Sequence, residues 1–198
     1  MDNATREKLI TAAIPLFAEK GYAAVSIREI AAAAGVNVAS ISYYFRGKEA
    51  LYHTIVEEQI STISRATQSV GELPPEERLK FYAQTIGEIH SRRPYVTRFM
   101  QNELANPTSA MEKVLKKNIL AIYHFLYQTI QDGVDAGLFK PDLNVGHAAL
   151  SLAGIMNFYF IAKPVFREFR GASPDSDSAY INQAVAIFLA GIRRTNNG

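Results

Sequence analysis

Apolar residues recur along this chain at intervals of three and four, and nowhere alternate over a useful length, so the pattern predicts helices throughout and no strand. The first helix is predicted from about Asn3 to Lys20, with Leu9, Ile10, Ala13 and Phe17 facing inward and Gly21 ending it. Pro15 lies inside it and should bend it locally. Two short helices follow between Ser26 and Lys48. Ser26 and Glu29 have the S-x-x-E spacing of a capping box, and Ile27, Ile30, Ala31 and Ala34 then share one face. Gly35 suits the left-handed conformation that closes such a helix. Asn37 is a good N-cap for the next, in which Ile41 and Phe45 lie one turn apart on the same side. A fourth helix is predicted from Lys48 to about Gln68, carrying Leu51, Tyr52, Ile55, Ile60 and Ile63.

Beyond the break at Ser69–Pro75, Leu79, Tyr82, Ala83, Ile86 and Ile89 mark a fifth helix that Pro94 ends. A sixth, from Tyr95 to Ala105, stops at Asn106-Pro107. Ser109 and Glu112 have capping-box spacing and are expected to open a long seventh helix to Ala136, which Gly137-Leu138 would close in Schellman fashion. Asn144 can cap the eighth. That helix is expected to end at Lys163, because proline disfavours helix in the residue before it. Gly171 to Ser178 reads as a polar loop, and a ninth helix runs from about Ser178 to Arg194. The expected fold is all-α with about nine helices.

Two short helices joined by a tight turn containing glycine make a helix-turn-helix, whose second helix enters the DNA major groove. With Ile41 and Phe45 inward, the outward face of that helix carries Val38, Ala39, Ser40, Ser42, Tyr43 and Tyr44. A merely solvated face would hold Glu, Lys and Gln. Small residues instead let the backbone approach base edges, methyl groups can pack on thymine, and hydroxyls can bond bases or phosphates. Arg28, Arg46 and Lys48 flank this surface with positive charge. On the local pattern alone, Tyr43 and Tyr44 could also be core aromatics of an ordinary helical hairpin.

The segment from Thr5 to about Glu57 resembles the DNA-binding domain of the TetR family of bacterial transcriptional regulators. The residues that carry the resemblance are Leu16-Phe17-Ala18-Glu19-Lys20-Gly21-Tyr22, Ser26-Ile27-Arg28-Glu29-Ile30-Ala31 and Ala34-Gly35-Val36-Asn37, then Ile41-Ser42-Tyr43-Tyr44-Phe45, Lys48-Glu49 and Leu51-Tyr52. The resemblance implies that Val38, Ala39, Ser40, Ser42 and Tyr43 face bases or nearby backbone, that Ser26, Tyr44 and Lys48 hold phosphates, and that Arg28 does either. It implies a DNA-binding domain over residues 1–47, then an effector-binding and dimerisation domain over 48–198. Three positions depart from the family pattern: Val38 stands where a polar or basic residue is common, Ser42 where tyrosine is usual, and Gly47 where serine often caps the fourth helix. The departures bear on which operator is read.

The eighth helix is apolar nearly all round from Ala148 to Ala162, so most of its surface must be covered. It could be buried within one subunit. The family instead pairs its last two long helices across a two-fold axis, which sets two heads about one DNA turn, ~34–36 Å, or a multiple apart. The same resemblance gives a purpose to the aromatics and polar groups on helices five to eight. Phe81, Tyr82, His90, Phe99, Met100, Tyr123, Tyr127 and Asn157 are candidates for an effector pocket, although aromatics at helical spacing are most often plain core.

Composition limits the alternatives. A net charge of +2 on 198 residues rules out a polybasic coat, so any DNA binding must use a local patch. The absence of cysteine excludes disulfides, thiolate metal sites and thiol nucleophiles. The four histidines have no zinc spacing, and there is no phosphate loop, nucleophile elbow or pair of carboxylates set apart from solvated faces. No metal, cofactor or enzymatic activity is therefore expected. Lys113, Lys116, Lys117 and the Arg193-Arg194 end read as solvated surface. The polar start and the shortness of the Ala148–Ala162 stretch, against the ~20 residues that cross a bilayer, lead to the expectation of a cytoplasmic protein. The expected function is a ligand-responsive regulator, a repressor that binds a palindromic operator as a homodimer and is released by a small, mainly apolar or aromatic effector. The competing reading is a helical small-molecule-binding protein whose head does not read DNA.

Overall fold

A computed structural model describes residues 2–170 and 176–194. The described chain folds into nine α-helices: α1 (Asp2–Ala24), α2 (Ile27–Ala34), α3 (Ala39–Phe45), α4 (Lys48–Gln68), α5 (Pro75–Arg92), α6 (Val96–Ala105), α7 (Lys116–Asp135), α8 (Val145–Arg170) and α9 (Ser176–Ile192). A π-helical turn over Met111–Leu115 precedes α7. Strands are absent among the described residues, and Phe139 and Arg193 form an isolated bridge.

Packing divides the chain into two compact units that are not consecutive stretches. The first comprises residues 1–61 and 93–118, the second residues 62–92 and 119–198. This partition differs from a boundary at residue 47, because the start of α4, α6 and the π-helical turn belong with the first three helices.

In the first unit α1 packs against α2, α3 and α6. Gly21, with φ 76° and ψ 165°, interrupts α1 where the sequence predicts its end. Leu9, Phe17, Ile30, Ile41 and Leu51 are completely buried. Ile27, expected on the inward face, is instead more than a third exposed. It opens the first turn of α2, and the buried residues of that helix are Ile30 and Ala31.

The aromatic part of this core stands on a buried carboxylate. Phe17 meets Tyr52 edge-on with ring centroids 4.9 Å apart, and Tyr52 also contacts Tyr22 and Phe99. The Tyr52 hydroxyl donates to Glu103 Oε1 at 2.6 Å. Glu103 is fully buried and also accepts from the Thr108 backbone N–H at 3.0 Å and the Thr108 hydroxyl at 2.8 Å. A charge taken out of water is tolerated only when its oxygens are satisfied in this way. Asn102 adds a second polar tie from α6, donating to the carbonyls of Phe17 and Ala18 near the end of regular α1.

The expected capping box at Ser109 does not form. Thr108 Oγ1 accepts from the Ala110 N–H instead, while the Ser109 hydroxyl donates to Glu49 on α4 at 2.6 Å. The Ser109 oxygen also lies 2.8 Å from His53 Nε2, so both sides of the hydroxyl face α4, and the chain enters α7 through the π-helical turn.

In the second unit α5 packs against α8 and α9, and α8 against α9. The predicted Schellman closure of α7 is present: Leu138 N–H bonds the Gly133 carbonyl, Gly137 N–H bonds that of Val134, and Gly137 has φ 70°. Asn144 caps α8 by accepting from His147 N–H at 2.9 Å. That helix does not stop at Lys163 but continues through Pro164 to Arg170. Lys163 is held in it by an ion pair with Asp177 of α9, which also accepts from the Tyr159 hydroxyl. Extended in this way, α8 includes a 21-residue stretch, Val145–Val165, that by length and composition could cross a bilayer, which corrects the expectation that the stretch is too short. Arg193 is not a solvated tail either: its guanidinium grips both carboxylate oxygens of Glu76, at 2.7 and 2.6 Å. The predicted loop at residues 171–175 lies outside the described residues.

The Glu103 anchor makes a direct prediction. Tyr52→Phe leaves the ring in place but removes one donor from a buried carboxylate. It should lower unfolding free energy by about 1.5–3 kcal/mol, the range for hydrogen bonds to charged groups. Urea denaturation of the two proteins measures it.

Candidate nucleic-acid interface

The putting-together of this surface begins with how α2 and α3 are started and stopped. Ser26 caps α2, its hydroxyl accepting from Glu29 N–H at 3.1 Å, and Gly35 closes the helix at φ 64°. The chain then turns through Asn37, whose side chain accepts from Ala39 N–H at 2.8 Å, so the first full helical residue is Ala39. Asn37 caps as expected, with Val38 already helical behind it. At the far end Arg46 takes φ 61°, a left-handed conformation uncommon outside glycine, asparagine and aspartate, and Gly47 follows at φ 129°. The two residues turn the chain from α3 into α4 without a longer loop.

Ile41 and Phe45 are buried, which turns the remaining positions outward. Tyr43 is 74% exposed and Val38 37% exposed. Ala39 and Ser42 are exposed as well, and Ser40 and Tyr44 are half-buried. The rings of Tyr43 and Tyr44 meet edge-on with centroids 4.9 Å apart. Tyr43 is therefore not a core aromatic of a helical hairpin. Ser26 and Arg28 are exposed at the start of α2. Lys48, half-buried at the start of α4, lies with its Nζ 3.5 Å from the Ala23 carbonyl and 4.3 Å from the centroid of the Tyr22 ring. Burial draws its pKa below the ordinary lysine value. Burial, and then the charge of Glu49, raise that of Tyr22. An exposed Lys20–Glu29 ion pair joins α1 to α2. The nine residues, at the starts of α2 and α4 and along α3, supply an exposed aromatic, hydroxyls, methyls and cations. Such groups can bond phosphates and base edges, but they include no set for bond making or breaking.

The candidate effector residues divide between the two units. Phe99 and Met100 belong to the first unit, where Phe99 is fully buried in the aromatic core. Phe81, Tyr82, His90, Tyr123, Tyr127 and Asn157 belong to the second. Tyr82 is fully buried, and Asn157 sits beside both it and His90. The imidazole of His90 stacks on Phe160 with centroids 4.1 Å apart. Burial pushes the His90 pKa down to about 4, with Asn157 partly opposing the shift. Tyr123 and Tyr127 are neighbours on α7, and Tyr127 is exposed. Among the described residues there is no group of three or more His, Cys, Asp or Glu able to hold a metal.

The buried polar residue that the sequence pattern did not single out is Glu103. Its signal was its register: Val96, Phe99 and Glu103 fall three and four residues apart, so the acid occupies a position of the inward stripe of α6.

The family model described as bacterial regulatory proteins, tetR family, matches residues 9–55, and the one described as Tetracyclin repressor-like, C-terminal domain, matches residues 72–160. The chain belongs to the TetR family. Members of that family are DNA-binding transcriptional regulators and not enzymes, and they typically bind small-molecule effectors and dimerise. A relative named Probable HTH-type transcriptional regulator YttP, from Bacillus subtilis, is 29% identical over 100% of this chain and 98% of its own length. The HTH-type transcriptional repressor NicS of Pseudomonas putida is 24% identical over 96% of this chain and 93% of its own. Among solved structures, the ketosteroid transcriptional regulator KstR2 of Mycobacterium tuberculosis superposes with a TM-score of 0.78 at 21% identity, covering 96% of this chain and 95% of that one. At that identity the likeness is one of fold.

The buried imidazole predicts how the TetR-family body responds to acid. An unfolded His90 takes up its proton near pH 6.5 and the folded one only near 4. Its contribution to stability is therefore complete above about 6.5 and is lost as pH falls from there toward 4, at up to about 1.4 kcal/mol per pH unit. Urea denaturation at fixed protein concentration between pH 7 and 4 should give a flatter profile for His90→Gln than for the wild type.

Proposed function

We propose that this chain is a ligand-responsive repressor that binds a palindromic operator as a homodimer and releases it when a small, mainly apolar or aromatic effector binds. The observation that carries the reading is the exposure of Tyr43 on a seven-residue helix whose other side is buried. Its neighbours on that face are the methyls and hydroxyls that fit a major groove. In this reading residues 1–47 form the DNA-reading head. Val38, Ala39, Ser40, Ser42 and Tyr43 approach bases, Ser26, Tyr44 and Lys48 hold phosphates, and Arg28 does either. The repressor named among the relatives supports repression rather than activation.

Dimerisation is supported by α8. Leu150, Phe158, Ile161 and Val165 are exposed on it at intervals of eight, three and four residues, with Gly154 between the first two. On α9 Ile187 is 61% exposed. A contiguous apolar stripe on the outside of a folded body marks an interaction surface, and a two-fold axis lets the same stripe cover itself. Effector binding is assigned to the second unit, where Tyr82, His90 and Asn157 supply buried polar groups among aromatics. Phe81, Tyr123 and Tyr127 are the further candidates there. An effector that prefers one arrangement of the two heads lowers operator affinity by its difference in binding free energy between the arrangements. The protein acts in the cytoplasm in this reading.

Selection of bound fragments from random duplex DNA tests the reading. The expected result is a palindromic consensus, with half-sites one helical turn or a multiple apart. Tyr43→Ala should lower affinity for it by about 1–3 kcal/mol per head, the usual cost of a lost base contact. A wild-type protein with no preference over random duplex at moderate salt would favour the small-molecule-binding reading instead. Phe158→Glu should convert the dimer to monomers on sedimentation and abolish binding to the palindrome while half-site contacts persist only weakly.

A further inference from the structure

Lysine side chains are long and flexible, and a phosphate contact made by one is usually ordered only when the nucleic acid arrives. Lys48 is placed differently. Its ammonium lies 3.5 Å from the Ala23 carbonyl, three residues before the Ser26 cap, and over the face of Tyr22 at 4.3 Å from the ring centroid. A cation within about 6 Å of an aromatic centroid is attracted by the negative face of the ring. The ring in turn has no freedom to move away. It stacks beside Phe17 at 6.2 Å and packs on Tyr52 at 4.9 Å, and Tyr52 is tied through its hydroxyl to the buried Glu103. Glu103 is fixed by both the N–H and the hydroxyl of Thr108. An unbroken series of contacts thus runs inside the first unit from a buried carboxylate to the ammonium at the edge of the DNA-reading surface.

We propose that Tyr22 is a positioning residue for the phosphate contact of Lys48: its ring, anchored through Tyr52 and Glu103, holds the ammonium beside the start of α2 before DNA binds. This inference rests on the DNA-binding reading above, and it extends that reading to a residue that touches no nucleic acid. The ring carries the role and the hydroxyl does not, so phenylalanine should replace tyrosine without loss. A ring that only filled space would matter equally whether or not Lys48 were present.

The test is a double-mutant cycle with Tyr22→Leu, Tyr22→Phe and Lys48→Ala in the full-length protein. The first probe is a random-sequence 30-base-pair duplex at low salt, which reads phosphate contacts without base contacts. The second is the selected palindrome. Failure of sequence recognition alone therefore shows on the second probe and leaves the first intact. Tyr22→Leu should weaken binding about two- to tenfold per head, on the order of the ordering cost of one long side chain. The slope of log affinity against log salt should stay unchanged, because no charge is removed. Lys48→Ala should lower that slope by about one per head. In the Lys48→Ala background, Tyr22→Leu should cost nothing further, and Tyr22→Phe should bind like wild type. An equal cost of Tyr22→Leu in both backgrounds, or no cost in either, overturns the proposal. Should Tyr22→Leu fail to fold, the Lys48 ε-methylene protons decide. An upfield ring-current shift in the wild type that persists in Tyr22→Phe supports the placement, and its absence overturns it.

Discussion

Seven residues are too few for a helix to persist alone in water, where roughly a dozen or more are needed. The helix α3 exists because Ile41 and Phe45 are buried in the first unit, each contributing on the order of 1.5–3 kcal/mol. This constraint decides the surface as well as the stability. With two positions one turn apart committed to the core, the rest of so short a helix has nowhere to go but outward. The exposure of Tyr43 is thus a geometric consequence of where Ile41 and Phe45 are buried.

The same dependence explains why the polar ties of the first unit matter. Its hydrophobic residues would tolerate several arrangements of α1, α4 and α6, since apolar contacts are non-directional. Glu103 does not tolerate them. A fully buried carboxylate must find Tyr52 and Thr108 together, and Asn102 must find two carbonyls at the end of α1. Hydrogen-bond geometry therefore selects one packing among those that burial alone would allow. The aromatic group of Phe17, Tyr22, Tyr52 and Phe99 inherits that definition.

Local chemistry made most of the fold legible before any coordinates. The Ser26 cap, the Gly35 and Gly137 closures, Asn144 and the break at Gly21 each depend on residues within five positions of one another, and each is found where the sequence predicts it. The departures all involve partners far away in sequence. Ser109 serves Glu49 instead of its own helix, Lys163 stays helical before proline beside Asp177, and Arg193 is captured by Glu76. Glu103 has no local signal beyond its register, because its Tyr52 donor comes from α4. The outward face of α3 was legible since Ile41 and Phe45 identify its inner side. The grouping of the effector candidates was not, because an aromatic residue satisfies a core position and a pocket wall by the same contacts.

Charge adds a last constraint. A protein with a net charge of only +2 gains little from diffuse attraction to DNA, so its affinity must come from a few contacts made well. Each flexible cation ordered on binding subtracts from what its contact with phosphate returns. A lysine already held over an aromatic ring at the edge of the surface escapes most of that loss, at the cost of partial desolvation when free. The depressed pKa of Lys48 is the mark of that cost. In the proposed reading, short helix, anchored aromatic and constrained cation are parts of one solution, by which a nearly neutral chain would concentrate its binding free energy in a surface defined by the interior beneath it.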